Sequence, residues 1–192
     1  MDRDVHLLME TVRTNVNLEL AATSEILALA CEWRPMQATL VPEKREEVTT
    51  EGGLALTEAA HLESTGKALD QLVSSGIRAS LFVDPDETSI QAAADIGADA
   101  VELHTGEYAN ATTATRAEEI SRLRRASALA KELGISVHAG HGLTYENVSP
   151  IASIPEIEEL NIGHSIVARS VFTGLERAVR DMAKIIRQAR LK

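Results

Sequence analysis

Short segments in which apolar and polar residues alternate recur along the chain. In Val16–Leu20 the apolar side chains share one face of an extended strand, and Asn17 and Glu19 share the other face. Val101 and Leu103 oppose their polar neighbours in the same way. These patterns predict six strands, at 15–20, 37–42, 77–83, 99–104, 135–140 and 159–163.

Segments with a helical spacing of apolar residues lie between and beyond these strands. They predict helices near 3–13, 24–33, 57–75, 86–96, 114–133, 145–153 and 173–190. We expect Thr23 and Asp84 to cap the helices near 24–33 and 86–96, because their side-chain oxygens can accept the free N–H groups of a first turn.

The polar residues collect at the carboxyl ends of the predicted strands. Parallel strands covered by helices on both faces are apolar throughout, whereas here one face stays polar in strand after strand. Such a βα repeat is typical of a barrel whose lumen opens into an active site. We therefore predict one α/β domain over residues 1–192, of the (β/α)8 TIM-barrel type, with only about six of the eight strands present.

Composition and charge narrow the class of protein. The 192 residues carry a formal net charge of −10, which argues against nucleic acid or an anionic membrane as a partner. Cys31 is the only cysteine, so an internal disulfide is not possible. No apolar run approaches the ~20 residues of a membrane span, and the first residues do not read as a signal peptide. We therefore expect a cytoplasmic protein.

Four long motifs resemble the signature of the pyridoxine 5′-phosphate synthase family, in the family's order and with matching spacing. They read LVPEKREEVTTEGGL at Leu40–Leu54, ELHTGEYA at Glu102–Ala109, AGHGLTYENV at Ala139–Val148 and ELNIGHS at Glu159–Ser165. The resemblance covers essentially the whole chain. It implies condensation and ring closure of 1-deoxy-D-xylulose 5-phosphate with 3-amino-2-oxopropyl phosphate, which yields pyridoxine 5′-phosphate, phosphate and water.

The resemblance also implies an assembly and a longer barrel. It suggests homo-octamers in the full-length family and neither a metal nor an organic cofactor. Family members carry about two further strands upstream, with a catalytic histidine and substrate-binding arginines that this chain does not show. We therefore expect the 192-residue chain to have very low or no synthase activity by itself, and to aggregate or associate through the open barrel edges.

Three side chains are implied to carry the proton transfers. By resemblance Glu19 is a proton acceptor that removes protons from carbon next to a carbonyl or imine, for which a carboxylate with a raised pKa is suited. Glu102 is implied to stabilise cationic imines. His141, between two glycines, is implied to be the general acid that protonates a leaving oxygen.

Four further residues are implied to bind substrate. Thr49 resembles a ligand of the deoxyxylulose phosphate, and the Gly142 backbone is implied to contact substrate. Gly163 and His164 are implied to bind a substrate phosphate, which agrees with the phosphate sites of barrels after their last strands. We interpret His104 as a hydrogen-bonded residue behind the site, and we expect Asn161 to orient the turn before His164.

Alternative functions remain open at this point. A metal site is a rival use of the same acids and histidines, although no tight spacing such as His-Glu-x-x-His is present. A catalytically dead fragment or interaction protein of the family is the second alternative. A third is another phosphosugar-processing TIM-barrel enzyme, such as an isomerase or aldolase, although no lysine lies on the polar strand faces.

Overall fold

Six parallel strands form one curled sheet in the computed structural model, which describes residues 2–43 and 52–191. Neighbours along the chain are also neighbours in the sheet, in the order β1-β2-β3-β4-β5-β6. The strands are β1 (Asn17–Ala21), β2 (Gln37–Val41), β3 (Arg78–Val83), β4 (Ala100–His104), β5 (Ser136–Gly140) and β6 (Ile157–Asn161).

Helices follow the strands on the outside of the sheet, and a first helix precedes β1. They are α1 (Asp2–Thr11), α2 (Ser24–Trp33), α3 (Ala59–Ser74), α4 (Glu87–Asp95), α5 (Gly106–Asn110), α6 (Arg116–Glu132), α7 (Val148–Ala152), α8 (His164–Thr173) and α9 (Leu175–Arg190). In the part of the chain that is described, none of these helices is long and apolar enough to cross a membrane.

The two faces of the sheet differ in chemistry, as the alternation predicts. Leu40, Leu81 and Leu103 point outwards and are fully buried in the layer between strands and helices. The inner face is polar and hydrogen-bonds within itself. The Thr39 hydroxyl donates to Asn17 Oδ1 at 3.0 Å, for example. Burial of the outer face is the hydrophobic contribution that holds the strands in this register.

The predicted elements agree with the structure, with four differences. The strand predicted at 159–163 lies two residues earlier, at Ile157–Asn161, and is paired through a register shift in β5. Helices α5 and α8 were not predicted. The expected cap Thr23 accepts the Ile26 N–H, but α4 is capped by Asp86, which accepts the Ser89 N–H at 2.9 Å, and not by Asp84.

The barrel is open in the described chain. Strand β1 pairs only with β2 and β6 pairs only with β5, so each has one unpaired edge among the described residues. Helix α8, which follows β6, buries no side chain and exposes Val171 and Phe172 by 79% and 89%. The prediction of a TIM-barrel type with six strands present is therefore confirmed.

A pair of neighbouring substitutions in β3 tests the division between the two faces. Leu81→Ala should lower the free energy of unfolding by about 2–5 kcal/mol, because it leaves a cavity in the apolar layer. Ser80→Ala should be neutral or stabilising by up to ~1 kcal/mol, because the Ser80 hydroxyl is buried with no hydrogen-bond partner among the described residues. Urea denaturation of both variants measures the difference, and equal losses would contradict the assignment of the faces.

Candidate active site

A cavity of about 580 Å³ lies at the carboxyl ends of the strands. Side chains from β1 and from β6 both line it, because the sheet curls until its two edges face the same space. Six of the seven residues expected at the site line this cavity, namely Glu19, Glu102, His141, Gly142, Gly163 and His164. The seventh, Thr49, lies outside the described residues. Glu19, Glu102, His141 and His164 therefore face one common space at this end of the sheet.

Glu102 is the most deeply buried carboxyl of the site, with 3% of its surface exposed. The Asn161 amide donates to Glu102 Oε2 at 2.6 Å, so the Asn161 side chain orients this carboxyl. Its expected role in orienting the turn before His164 stays a prediction. Gly140 gives the carboxyl its space, since a Cβ there would lie 2.1 Å from Glu102 Oε1. Gly140 and Asn161 lie in two different sequence motifs. Their contacts with Glu102 join separate strands, so no local pattern in the sequence predicts them.

Burial raises the pKa of Glu102 to about 8, with a further rise from the Glu19 charge and a partial reduction from the Asn161 hydrogen bond. The buried carboxyl therefore favours its protonated form in the free site near neutral pH. A cation placed beside it would reverse this preference, because an opposite charge stabilises the carboxylate. Glu102 can thus exchange a proton as positive charge appears and disappears in the cavity.

Glu19 lies on the edge strand β1, where its side chain is exposed at the open side of the cavity. Partial loss of water contact raises the pKa of its carboxyl above the ordinary value. A carboxylate with a raised pKa is a stronger base than an exposed one. The two carboxyls also face each other across the lumen closely enough for the charge of Glu19 to act on Glu102.

His141 has a left-handed backbone, with a φ of 80°, and Gly142 follows with a φ of 74°. A non-glycine residue in this region carries a strain of order 1–3 kcal/mol, so surrounding contacts must hold it. The buried Thr105 hydroxyl lies 2.7 Å from the Gly140 carbonyl and 2.5 Å from the His141 carbonyl and can donate to either. Thr105 was not singled out from the sequence, although it lies within the motif at Glu102–Ala109.

A second set of hydrogen bonds holds the Gly142 side of this turn. The Asn147 amide donates to the Gly142 carbonyl at 3.1 Å and accepts the Thr144 N–H at 2.6 Å. The buried Tyr108 hydroxyl in turn donates to the Asn147 carbonyl at 2.6 Å. The His141 imidazole is thus presented to the cavity by a rigid turn. Its pKa is lowered by burial and, to a smaller extent, by the charge of the nearby His104.

Helix α8 begins at the cavity, with Gly163 as its capping residue and His164 as its first residue. The N–H groups of a first helical turn have no partner within the helix and carry a partial positive charge, so they form an anion site. The Ser165 hydroxyl donates to the Leu143 carbonyl at 2.8 Å and fixes this end of the helix beside the His141 turn. The position agrees with the phosphate-binding role expected of Gly163 and His164.

The described residues form no group of three or more histidine, cysteine, aspartate or glutamate side chains arranged to hold a metal ion. The acids and histidines of the cavity are instead distributed around it. His104 lies behind the site, where its Nδ1 is 3.3 Å from Asp84 Oδ1, which confirms the expectation of a hydrogen-bonded residue there.

Comparisons with known proteins agree on one family. The family described as pyridoxal phosphate biosynthesis protein PdxJ matches residues 1–188. Pyridoxine 5′-phosphate synthase of Synechococcus sp. (strain CC9605) is 54% identical over 190 residues, which cover 99% of this chain and 76% of that protein. The synthase of Magnetococcus marinus is 53% identical, over 98% of this chain and 77% of that protein.

Solved structures share the fold at low sequence identity. A structure described as native KDPGal has a TM-score of 0.62 at 14% identity and covers 100% of this chain and 76% of its own. A mandelate oxidase mutant has a TM-score of 0.63 at 11% identity, over 96% of this chain and 60% of its own. At these identities the likeness concerns the barrel fold alone.

The raised pKa of Glu102 predicts how stability depends on pH. The folded chain holds the Glu102 proton up to about pH 8, whereas the unfolded chain releases it near its ordinary pKa of 4.5, so the free energy of unfolding falls as the pH rises between these values. Glu102→Gln removes this loss and keeps an acceptor for Asn161. It should stabilise the fold by on the order of 1–3 kcal/mol at about pH 9, and by little at about pH 5.

Thermal unfolding across this pH range measures the effect. The control is Glu132→Gln, at an exposed position at the end of α6, which should leave the pH dependence unchanged. An identical pH dependence of Glu102→Gln and the unaltered chain would contradict the prediction.

Proposed function

The chain belongs to the PdxJ family of pyridoxal phosphate biosynthesis proteins, and from this membership we propose which residues perform its reaction. The function is that of a pyridoxine 5′-phosphate synthase. The substrates are two phosphorylated small molecules, 1-deoxy-D-xylulose 5-phosphate and 3-amino-2-oxopropyl phosphate. The observation that supports the site assignment best is one cavity holding two carboxyls of raised pKa, a histidine on a strained turn and a helix N-terminus.

The two carboxyls take different roles because their surroundings differ. Glu19, nearer to the opening, is the base that removes a proton from carbon adjacent to a carbonyl or imine. Glu102 is buried, so ionisation of its carboxyl is unfavourable in the free site. A cationic imine beside it stabilises the carboxylate and offsets this penalty. Condensation of an amine with a ketone passes through such a cation. Glu102 therefore stabilises the intermediate more than the free substrates, which is what accelerates a reaction.

His141 is the general acid. Each elimination in the ring closure needs a proton on the departing hydroxyl or phosphate oxygen, and an imidazolium can supply it. A lowered pKa makes the imidazolium a stronger acid, which suits donation to a weakly basic oxygen. The turn held by Thr105 and Asn147 directs the ring into the cavity.

Substrate phosphate binds at the N-terminus of α8, through the backbone at Gly163 and the side chain and backbone of His164. The Gly142 backbone contacts substrate as well. Its left-handed φ and the 2.7 Å approach of a Cβ to Ala109 both require a glycine at this position. Thr49 remains a proposed ligand of the deoxyxylulose phosphate.

A synthase fits the site better than the other phosphosugar enzymes do. None of the six described strands contains a lysine, so the sheet offers no amine to form a Schiff base with substrate, as an aldolase of that type requires. In the proposed reaction the amine comes from the second substrate, 3-amino-2-oxopropyl phosphate.

Turnover with both substrates tests the proposal, with pyridoxine 5′-phosphate and released phosphate as readouts. In a fusion that carries the upstream segment of a full-length relative and turns over, Glu19→Gln, Glu102→Gln and His141→Asn should each lower kcat by about 10²–10⁴-fold, the usual loss of an acid–base group. His61→Asn, at an exposed position on α3, is the control and should leave kcat unchanged. Product formation that survives all three substitutions would refute the assigned roles.

Low activity of the 192-residue chain stays a prediction, and the same assay tests it. The chain spans about three quarters of the length of the relatives, at 76% of the Synechococcus protein. We expect slow or no turnover by the chain alone and faster turnover by a fusion that carries the upstream segment of that relative. Absence of product from both preparations would contradict the proposed function, and equal rates would contradict a need for further strands.

We propose in addition that copies of the chain associate. Within the described ranges, the outer edges of β1 and β6 have no strand partner, and α8 exposes apolar side chains such as Phe172. Both features support association. Sedimentation velocity should show species larger than a monomer, and Phe172→Glu should shift them towards the monomer. Val73→Glu, at an exposed position on α3, is the control. A monodisperse monomer of the unaltered chain would exclude association.

A further inference from the structure

Behind the cavity, the buried imidazole of His104 lies against the ring of His141, and the Asp84 carboxylate contacts His104 in turn. We propose that Asp84 and His104 act as a positioning pair for His141, holding its ring in place and setting how readily it takes up a proton. The inference rests on the proposed function, in which His141 donates protons to departing oxygens. Neither Asp84 nor His104 lines the cavity, so both act through His141 and not on substrate.

Asp84 follows β3 directly and orients His104 from one side. Its Oδ1 lies 3.3 Å from His104 Nδ1 and also accepts the Gly53 N–H at 3.0 Å. The hydrogen bond to His104 is the main reason that the pKa of Asp84 is lowered, so the carboxylate form prevails. A carboxylate can only accept, and Nδ1 of His104 therefore carries the hydrogen.

The Gly53 contact makes Asp84 a rigid partner. A Cβ on Gly53 would lie 2.4 Å from the Asp84 backbone nitrogen and 2.5 Å from Val83, so the chain packs directly on the end of β3 here. The carboxylate that orients His104 is therefore held between a strand end and a closely packed backbone segment. Such support from fixed backbone is what keeps a ring within a narrow range of orientations.

The rings of His104 and His141 are in contact. Their centroids are 5.0 Å apart at an interplanar angle of 61°, and the Phe82 ring lies 5.1 Å from that of His104 and 6.4 Å from that of His141. Gly106 completes the enclosure, since a Cβ there would lie 2.5 Å from His104 Nε2 and 3.3 Å from His141 Cδ2. The three rings and this glycine leave the His141 ring little freedom to rotate.

The second nitrogen of His104 argues for more than packing. His104 is 6% exposed, and its Nε2 is buried with no hydrogen-bond partner among the described residues. If His104 had only a packing role, an apolar side chain would be more favourable at this position, because an unpaired buried polar atom lowers the stability of the fold. A basic nitrogen with a carboxylate on the opposite side of the ring is, however, a place where a proton can reside.

A proton on His104 would repel a proton on His141. The titratable groups around His141 are Glu19, Glu102 and His164, which line the same cavity, and His104, whose ring His141 contacts. Asp84 lies behind His104 and contacts that ring. Among these, His104 is the group whose charge lowers the pKa of His141, after burial. Two charges ~5 Å apart in a water-like dielectric shift a titration by about half a pH unit, which is the minimum effect expected here.

Titration of the histidine rings by NMR, in the full chain labelled at histidine, measures this coupling without turnover. His104→Phe keeps a ring of similar size but removes both nitrogens, and should raise the His141 midpoint by about 0.5 pH unit or more. His104→Gln keeps a donor for Asp84 but cannot take a second proton, and should raise the midpoint as well. Asp84→Asn should weaken the cross-peaks between the two rings.

The matched control is Asp99→Asn. Asp99 accepts the Ala79 N–H at 2.8 Å, as Asp84 accepts that of Gly53, but it lies at the opposite end of the sheet. This variant should leave the His141 midpoint within about 0.1 pH unit. A folded His104→Phe or His104→Gln whose His141 midpoint does not rise would overturn the proposal.

The unaltered chain provides a second test, which does not depend on whether a substituted variant folds. If the two rings are coupled, the His141 chemical shift must deviate from a single titration curve. Independent single titrations of both rings would overturn the proposal, whatever the variants do.

Kinetics then separate this inference from the proposed function. In a preparation that turns over, His104→Phe should move the basic limb of the pH profile upwards, because a general acid works only below its pKa. It should also lower kcat more than it raises KM. Coupled titrations, together with no product from either the chain or the fusion that carries the upstream segment, would refute the synthase and leave the pair intact. Normal turnover with uncoupled rings would refute the pair alone.

Discussion

Burial of the outer faces of six parallel strands is the interaction on which the site depends. Leu40, Leu81 and Leu103 are fully buried between strands and helices, and this layer contributes the apolar burial that fixes the strand register. Because side chains alternate along a strand, the same register directs Thr39, Glu102 and His138 into the lumen. A slip of one residue in any strand would turn its polar residues into the apolar layer, so the outer layer also fixes the placement of the side chains that line the cavity.

Polar groups buried in the lumen lower the stability of the fold, and this loss is limited to a few residues. Glu102 keeps its proton near neutral pH, which avoids burying a charge beside Glu19. His141 keeps a strained φ because Thr105 and Asn147 hold the carbonyls around it. In the proposed reaction, a cationic imine beside Glu102 would favour the carboxylate form that the free fold disfavours. Stability and catalysis therefore place opposite demands on the same residues.

Features with a local period could be predicted from the sequence, and features that depend on distant contacts could not. The alternation along each strand placed Glu19 and Glu102 on the correct side of the sheet. The start of β6 was set two residues too late because the exposed Glu158 separates the buried Ile157 from the rest of the strand, so the apolar pattern is interrupted there. Helix α8 was not predicted, since it buries no side chain in the described structure and so has no marked core face.

Asp84 shows why contacts between residues far apart in the sequence could not be predicted from local patterns. Both Asp84 and Asp86 follow a strand and precede a helix, and either residue type is a common helix cap. Only the folded chain distinguishes them: Asp86 turns to the N–H of Ser89, three residues away, while Asp84 reaches Gly53 and His104, which are 31 and 20 residues away. The residue that local rules assign to a helix end is thus available to orient an imidazole. The barrel makes this possible because it brings the ends of all its strands to one edge, where residues of different local character become neighbours.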